Sequence, residues 1–530
     1  MKKLSLLLLT ILILSSCNQE KQKKEQQEEL SFPDDKFRSQ IHFTPKEAWM
    51  NDPNGMVYYD GEYHLFYQYY PDSTVWGPMH WGHAVSPDMV HWKHLPIALY
   101  PDELGYIFSG SAVVDWNNTS GFQTGEHPPM IAIFTHHEPV GAEEEGNNTY
   151  QYQSIAYSND KGRTWTKYEG NPVVPNPGIK DFRDPKVIWL EDFQQWLMVF
   201  AALDRVKFYT SPNLIDWKFQ SDFGMNDGSH GGVWECPDLF QLQVEGSEEK
   251  KWVLLLSINP GGPNGGSATQ YFVGDFDGKT FTNSQDPNAS QWLDHGPDNY
   301  AGVTWSDIPE EDGRRLFLGW MGNWNYAQVV PTEKWRSAMT IPRSLHLTKN
   351  QTSGVYTVAS RPVNELASLH TKSVDFEKES VNAGTRFSLM NTDDLGLTVP
   401  FKSEFTVNTS GRQSNFRLVL DNPKTQEEFV FRFQDGTLYG NRAKSGLTDF
   451  ADNFAHQEAT APFQQLLKEK ELKVEFFVDE SSIEIFLNDG SVVMTEVFFP
   501  TEGFTRAYLI SDDNPLEINS ARTTQLKSIW

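Results

Sequence analysis

The sequence predicts an all-β chain, a five-bladed β-propeller followed by a C-terminal β-sandwich. Three observations carry this expectation. From about residue 38 onward there is almost no amphipathic helical period, and short β-rich runs such as "MIAIFTHHE" and "KWVLLLSI" are separated by Gly, Asp, Asn and Pro. An imperfect repeat, "SPDMVHWK" from Ser86, "SNDKGRTWTK" from Ser158 and "SPNLIDWKF" from Ser211, sets an Asp or Asn two residues after a serine and a Trp four or five residues later. Its separations, about 72 and 53 residues, are close to one four-stranded blade, and each copy reads as a blade's outer hairpin. A second series runs alongside. Asp52-Pro53 precedes "NGMVYY", Asp184-Pro185 precedes "KVIWL", and Glu235-Cys236-Pro237 precedes "DLFQL", while "FSGSAVV" from Phe108 and "YAGVTW" from Tyr300 fill the intervals without an acid. Five such strand starts over about 300 residues imply five blades whose innermost strands line a central channel.

Taken in order, the chain begins with "MKKLSLLLLTILILSSC": two lysines, an apolar run too short for a comfortable membrane span, then small residues. This reads as a signal peptide over residues 1–16. The ending "LSSC" looks like a bacterial lipobox, so Cys17 is the expected lipidation site and residues 17–37 a solvated tether that anchors an exported protein to a membrane. The propeller is expected over 38–347. Its first hairpin is marked by "MVYYDGEYHLFYQYYP", two strands joined at Asp60-Gly61. After "KWRSAMTIPRSLHL" the pattern changes, and 348–370 is read as a linker. Residues 371–530 then alternate with period two, notably around a turn at Asn488-Asp489-Gly490, as a sandwich does.

A formal charge of −27, from 44 basic against 71 acidic residues, would repel nucleic acid over most of the surface and favours an uncharged substrate. The 17 Trp, 19 Tyr and 35 Phe must mainly pack sheets, although exposed rings are also what sugars stack on. With Cys17 and Cys236 as the two cysteines, no disulfide framework is available despite export.

The chemistry is expected where the acids converge. Proline restricts the residue before it toward extended backbone, and the strand behind is a rigid support for a catalytic group. Three converging carboxylates need a positive partner, and Arg183 is the nearest. A Ca²⁺ site would want more oxygen ligands from a flexible loop. His80 with His83, and His91 with His94, are spaced i, i+3, which on strands puts each pair on opposite faces and disfavours zinc. Cys236 has no evident His or Asn partner in sequence, so packing is preferred to a thiol nucleophile. No metal or cofactor is expected. Two carboxylates with a third nearby form the apparatus of glycoside hydrolysis.

"WMNDPNG", "FYQYYP" with Trp76-Gly77, "FSGS", "FRDPK", "WECPDL" and "GWMGNW", in this order, resemble glycoside hydrolase family 32, the β-fructosidases, over about residues 38–530. The resemblance implies Asp52 as nucleophile, Glu235 as general acid/base and Asp184 as transition-state stabiliser. Asn51, Gln68, Trp76, Phe108, Ser109, Arg183 and Trp320 are then expected to line the pocket for a terminal fructose. For Trp324 and Tyr326 a core role and a pocket role stay open. The leading reading is an exo-acting enzyme on levan or inulin that also cuts sucrose. An endo-levanase and a non-catalytic surface fructan-binding lipoprotein are the alternatives. The oligomeric state does not follow from the sequence.

Overall fold

In the computed structural model, which describes residues 35–409 and 415–530, five antiparallel sheets form the blades of a propeller and two further sheets form a sandwich. Cys17, the expected signal peptide and most of the expected tether lie outside the described residues. The innermost strands are Ala48–Tyr59, Tyr106–Val114, Phe182–Leu190, Val233–Gln243 and Tyr300–Thr304. Each neighbours the next, and the fifth neighbours the first, so the ring is closed. Two links seal it: Trp335–Arg336 runs parallel to Ala48–Trp49, and Val57 bridges Ser306.

The repeat seen in sequence has a local cause. At each outer hairpin the serine hydroxyl accepts from the backbone N–H two residues on and bonds that residue's side chain: Ser86 with Asp88, Ser158 with Asp160, Ser211 with Asn213. This side-chain-to-backbone bonding ends one strand and launches the next. The first hairpin turns at Asp60 and Gly61, both with positive φ of 50° and 87°, as an Asp-Gly turn requires.

The stretch 348–370 is not a linker. "TKNQTSG" is a hairpin tip in which Asn350 Oδ1 accepts from the N–H groups of Thr352 and Ser353, and Tyr356–Pro362 returns as the outermost strand of the fifth blade. A turn-rich polar run looks the same whether it ends a domain or a hairpin. The tether also ends earlier than expected, since Phe37 is buried with its ring 5.3 Å from that of Phe499.

The sandwich packs a sheet in the order 370–376, 516–526, 401–408, 471–479, 482–487, 492–497 against one in the order 386–391, 506–511, 416–422, 427–434, 437–444, 459–462. Inward residues of "FKSEFTVN" alternate strictly with outward ones, and Phe401, Phe405 and Val407 enter the apolar core with Phe416, Phe431 and Phe476. Propeller and sandwich belong to one unit, Phe37–Ile529. Arg343 of the fifth blade donates to Asp294 at 3.0 Å and to Thr495 at 2.8 Å, and it pairs with Glu484. His42 bridges Asp479 and Glu484 at 2.7 and 2.9 Å.

Candidate active site

The register of every innermost strand slips at the same level. One extra residue is inserted at Asp52, at Phe108-Ser109, at Asp184-Pro185, at Cys236-Pro237 and at Ala301-Gly302. Such bulges interrupt pairing and re-aim side chains. Here five of them turn one storey of the propeller into a ring of functional groups at one mouth of the channel.

Asp184 and Cys236, both before proline, were expected to be extended. They instead have φ of 64° and 47°, and Ala301 has φ of 53°. The bulge overrides the preference imposed by proline. Each left-handed non-glycine residue costs about 1–2 kcal/mol, which the surrounding ladders must hold in place.

The three acids meet. Asp52 accepts from Asn51 Nδ2 at 2.8 Å on one oxygen and from Ser109 Oγ at 2.7 Å on the other. Asp184 Oδ2 accepts from the Cys236 N–H at 3.0 Å, and its own N–H is taken by Thr135 Oγ1 at 3.0 Å. The Cys236 thiol lies between the two aspartates, 3.7 Å from Asp52 Oδ2 and 3.6 Å from Asp184 Oδ2. Arg183 Nη2 donates to Glu235 Oε1 at 2.9 Å, and its Nε is 3.9 Å from Asp184. Asp181 fixes the far end of the guanidinium at 2.6 Å. Tyr300 donates its hydroxyl to Glu235 Oε2.

One guanidinium cannot neutralise this many acids. Burial, reinforced by the charge of Glu235, pushes Asp52 above its usual range, against the hydrogen bonds from Ser109 and Asn51. Burial pushes Asp184 up to about 7; Arg183 opposes this, and the charges of Glu235 and Asp52 add to it. The Cys236 thiol is driven well above its normal value by burial and the surrounding carboxylates, so it is a neutral packing group and weak donor rather than a thiolate.

The remaining expected residues divide in two. Trp76, 37% exposed, meets Phe108 edge to face at 6.0 Å, and Phe108 stacks on His137 at 4.2 Å, so these rings form a rim. Asn51, Ser109 and Arg183 touch the acids directly. Gln68 and Trp320 work from behind. Gln68 is buried and braces the bulges through Asn54 Oδ1 and Ile107 O, each at 3.0 Å. Trp320 has no exposed surface and packs against Trp49, Tyr300 and Trp324. Trp324 also stacks on Trp49 at 5.8 Å, whereas Tyr326 belongs to the domain interface, bonded to Asp298 and Arg442. The four histidines are held apart: His80 by Pro78 O, His83 by His64, His91 by Asp88 in a turn rather than a strand, and His94 against Phe43. Tyr300 was missed as a site residue. Its signal was position, since it heads the fifth strand start where other blades carry an acid.

Comparison with known proteins agrees with this geometry. Residues 42–357 match the family model for the glycosyl hydrolases family 32 N-terminal domain, and 365–527 match the family 32 C-terminal model. The chain belongs to glycosyl hydrolase family 32. This glycoside hydrolase is 50% identical over 502 residues to a levanase of Bacillus subtilis, covering 94% of the chain and 72% of that protein. It is 37% identical to an extracellular exo-inulinase of Aspergillus niger, covering 94% and 96%. The crystal structure of exo-inulinase from Aspergillus awamori superposes with a TM-score of 0.83 at 35% identity, covering 94% of this chain and 99% of that one.

Proposed function

We propose that this family 32 hydrolase is an exo-acting β-fructosidase that releases fructose from the non-reducing ends of levan or inulin-type fructan, and cuts sucrose, through a covalent fructosyl-enzyme. The observation that carries the mechanism is the unequal dressing of two carboxylates. Asp52 is aimed by Asn51 and Ser109 and has no cation within bonding distance among the described residues, as suits a nucleophile. Glu235, with a side chain 21% exposed against 6% for Asp184, is held from Arg183 and Tyr300 at the more open side, as suits a group that must reach a leaving oxygen and then a water.

In the first step the Asp52 carboxylate forms a bond to the anomeric carbon while Glu235 gives its proton to the departing glycosidic oxygen. In the second, Glu235 takes a proton from water, the hydroxide displaces Asp52, and the catalyst is restored. The repulsion that raises Asp52 comes partly from Glu235. Asp184, beside Arg183, is placed to grip fructosyl hydroxyls, and Asn51, Trp76, Phe108 and Ser109 to enclose the ring. Export with a lipid anchor at Cys17 fits a substrate too large to import, and the Aspergillus relatives are named as extracellular.

Two measurements test this reading. Chromatography of early products from levan and inulin should show fructose alone, whereas a ladder of oligosaccharides means endo action. NMR of the first-formed sugar should show the β anomer; initial α-fructose would overturn the covalent mechanism.

A further inference from the structure

Below the acids on the innermost strands, Lys186 pairs with Asp238 at 3.2 Å, Asp238 accepts from both the N–H and the hydroxyl of Thr304, and Ser111 Oγ accepts from Val187 N. Beyond this buried polar cluster, at the opposite end of the same strands, lies a second concavity of about 320 Å³. That volume lies at the small end of the roughly 300–1,000 Å³ typical of small-molecule sites. From Asp184 to Trp189 along one strand is about 17 Å at the usual rise per residue.

The lining of this concavity differs from an ordinary solvated groove. Trp116, Trp189, Trp196 and Trp252 line it, and of these Trp116 is exposed. Trp116 is 55% exposed, yet its indole is fixed, with Nε1 donating to Asp307 at 2.8 Å and the ring edge against Tyr59 at 5.5 Å. A single exposed Trp needs no explanation, but one locked in place over a hollow walled by three further Trp rings forms a prepared platform. One cation faces the same space: the Arg315 guanidinium lies over the Phe240 ring at 5.1 Å, and its side chain has no hydrogen bond or ion pair among the described residues. Flat apolar faces with a few convergent donors and acceptors, one cation and one acid, suit a neutral polyhydroxylated chain. They do not suit a polyanion, which a protein of charge −27 repels.

We infer that this far face of the propeller is a second carbohydrate-binding site, with Trp116 as the stacking platform and Arg315 as the donor to sugar hydroxyls, and that it holds internal units of the polymer whose ends the acids cleave. The identity of the sugar as fructan rests on the function proposed above. A chain held at one face raises the effective concentration of ends at the other without any new contact to the reacting sugar.

The test uses the whole protein. In the inactive Asp52→Asn background, electrophoretic retardation in gels containing levan or inulin should persist in excess sucrose, which occupies the catalytic mouth. It should fall at least about fivefold on adding Trp116→Ala or Arg315→Gln. In the active enzyme the same two substitutions should raise KM for long-chain fructan about fivefold and leave kcat and KM for sucrose unchanged, which also reports intact folding. Retardation and polymer KM insensitive to both substitutions, in a protein that cleaves fructan, would sink the second site alone. A parent protein that cleaves no fructan sinks the function proposed for the acids, a result visible before any far-face variant is made.

Discussion

Buried carboxylates gather around Arg183 at the channel mouth and around Arg343 between propeller and sandwich, and these two clusters treat their acids in opposite ways. At the channel mouth Asp52, Asp184 and Glu235 share Arg183. Between propeller and sandwich Asp294, Asp479 and Glu484 share Arg343 and His42. In the second cluster backbone donors complete the shell: Gln40, Ile41 and Glu480 give N–H groups to Asp479, Ile341 to Glu484, and Gly296 and Thr495 to Asp294. Burial would raise Glu484, but Arg343 and His42 outweigh it and hold the carboxyl below its ordinary value. At the channel mouth burial and mutual repulsion win, and both Asp52 and Asp184 are pushed up. The difference lies in the backbone. The interface acids collect N–H groups from loop residues packed against them, Gln40, Ile41, Gly296 and Ile341 among them, whereas the bulges at the channel mouth divert their strands from pairing in order to aim side chains, which leaves the acids there under-neutralised and available to a ligand.

Substitution should separate the two clusters cleanly. Asp52→Asn should lower kcat by about 10⁴-fold or more, since the nucleophile is gone, while thermal stability stays level or rises because one of three repelling charges has been removed. Glu484→Ala should do the reverse. It takes from Arg343 and His42 the carboxylate they share and leaves them buried with Asp294 and Asp479 alone, at a cost of about 3–5 kcal/mol in urea unfolding, while the folded fraction keeps its kinetic constants within about twofold. If Asp52→Asn unfolded the protein, or Glu484→Ala spared it, the contrast would be wrong.

Titration gives the next largest effect. Burial lowers the affinity of His42 for a proton, yet its bonds to Asp479 and Glu484 outweigh this and raise its pKa to about 9 from an ordinary 6.5. A cation favoured in the folded state stabilises fully below the unfolded pKa and loses its contribution as pH rises through the folded one. Stability from His42 should therefore be complete below about pH 6.5 and decline toward pH 9, by on the order of 3 kcal/mol. Raised acids such as Glu496 add a slope in the same direction, so the measurement is a difference: urea unfolding at pH 6.5 and 9 for the parent and for His42→Gln. Parallel slopes would mean that His42 does not titrate with folding.

The sequence exposed the clusters unevenly, for physical reasons. Three of the five bulges carry proline next to or just after an acid, so their positions and the convergence of the acids could be read directly. The bulges themselves could not, because one inserted residue leaves the hydrophobic pattern on both sides intact. Proline even misled at Asp184 and Cys236, where tertiary pairing overrides its local preference. The resemblance puts Gln68 and Trp320 in the pocket lining, whereas the structure has both buried behind it, because sequence does not distinguish a group that faces the cavity from one that braces it. The interface cluster was invisible. His42, Asp294, Arg343 and Glu484 are single charges scattered along the chain, and nothing local says that they meet.

Two tyrosines sharpen the comparison at its smallest scale. Tyr300 gives its hydroxyl to Glu235 in the site, and Tyr326 gives its hydroxyl to Asp298 at 2.6 Å and accepts from Arg442 at 2.8 Å in the interface. Both are buried, and burial together with the neighbouring acid drives each hydroxyl well above its ordinary pKa, so each acts as a neutral donor. Phenylalanine deletes one oxygen in either place and keeps the packing. In Tyr300→Phe the lost bond orients a group that moves a proton, so kcat on fructan should fall about 10-fold, equivalent to ~1.4 kcal/mol, with little change in melting temperature. The loss should shrink on an activated aryl fructoside, whose leaving group hardly needs that proton. In Tyr326→Phe the lost bonds only hold two sheets together, so stability should drop by about 1–3 kcal/mol with kcat unchanged on either substrate. Equal losses of kcat on fructan and aryl fructoside for Tyr300→Phe would show that this hydroxyl supports the site's shape rather than the work of Glu235, and would move Tyr300 into the same structural class as Tyr326.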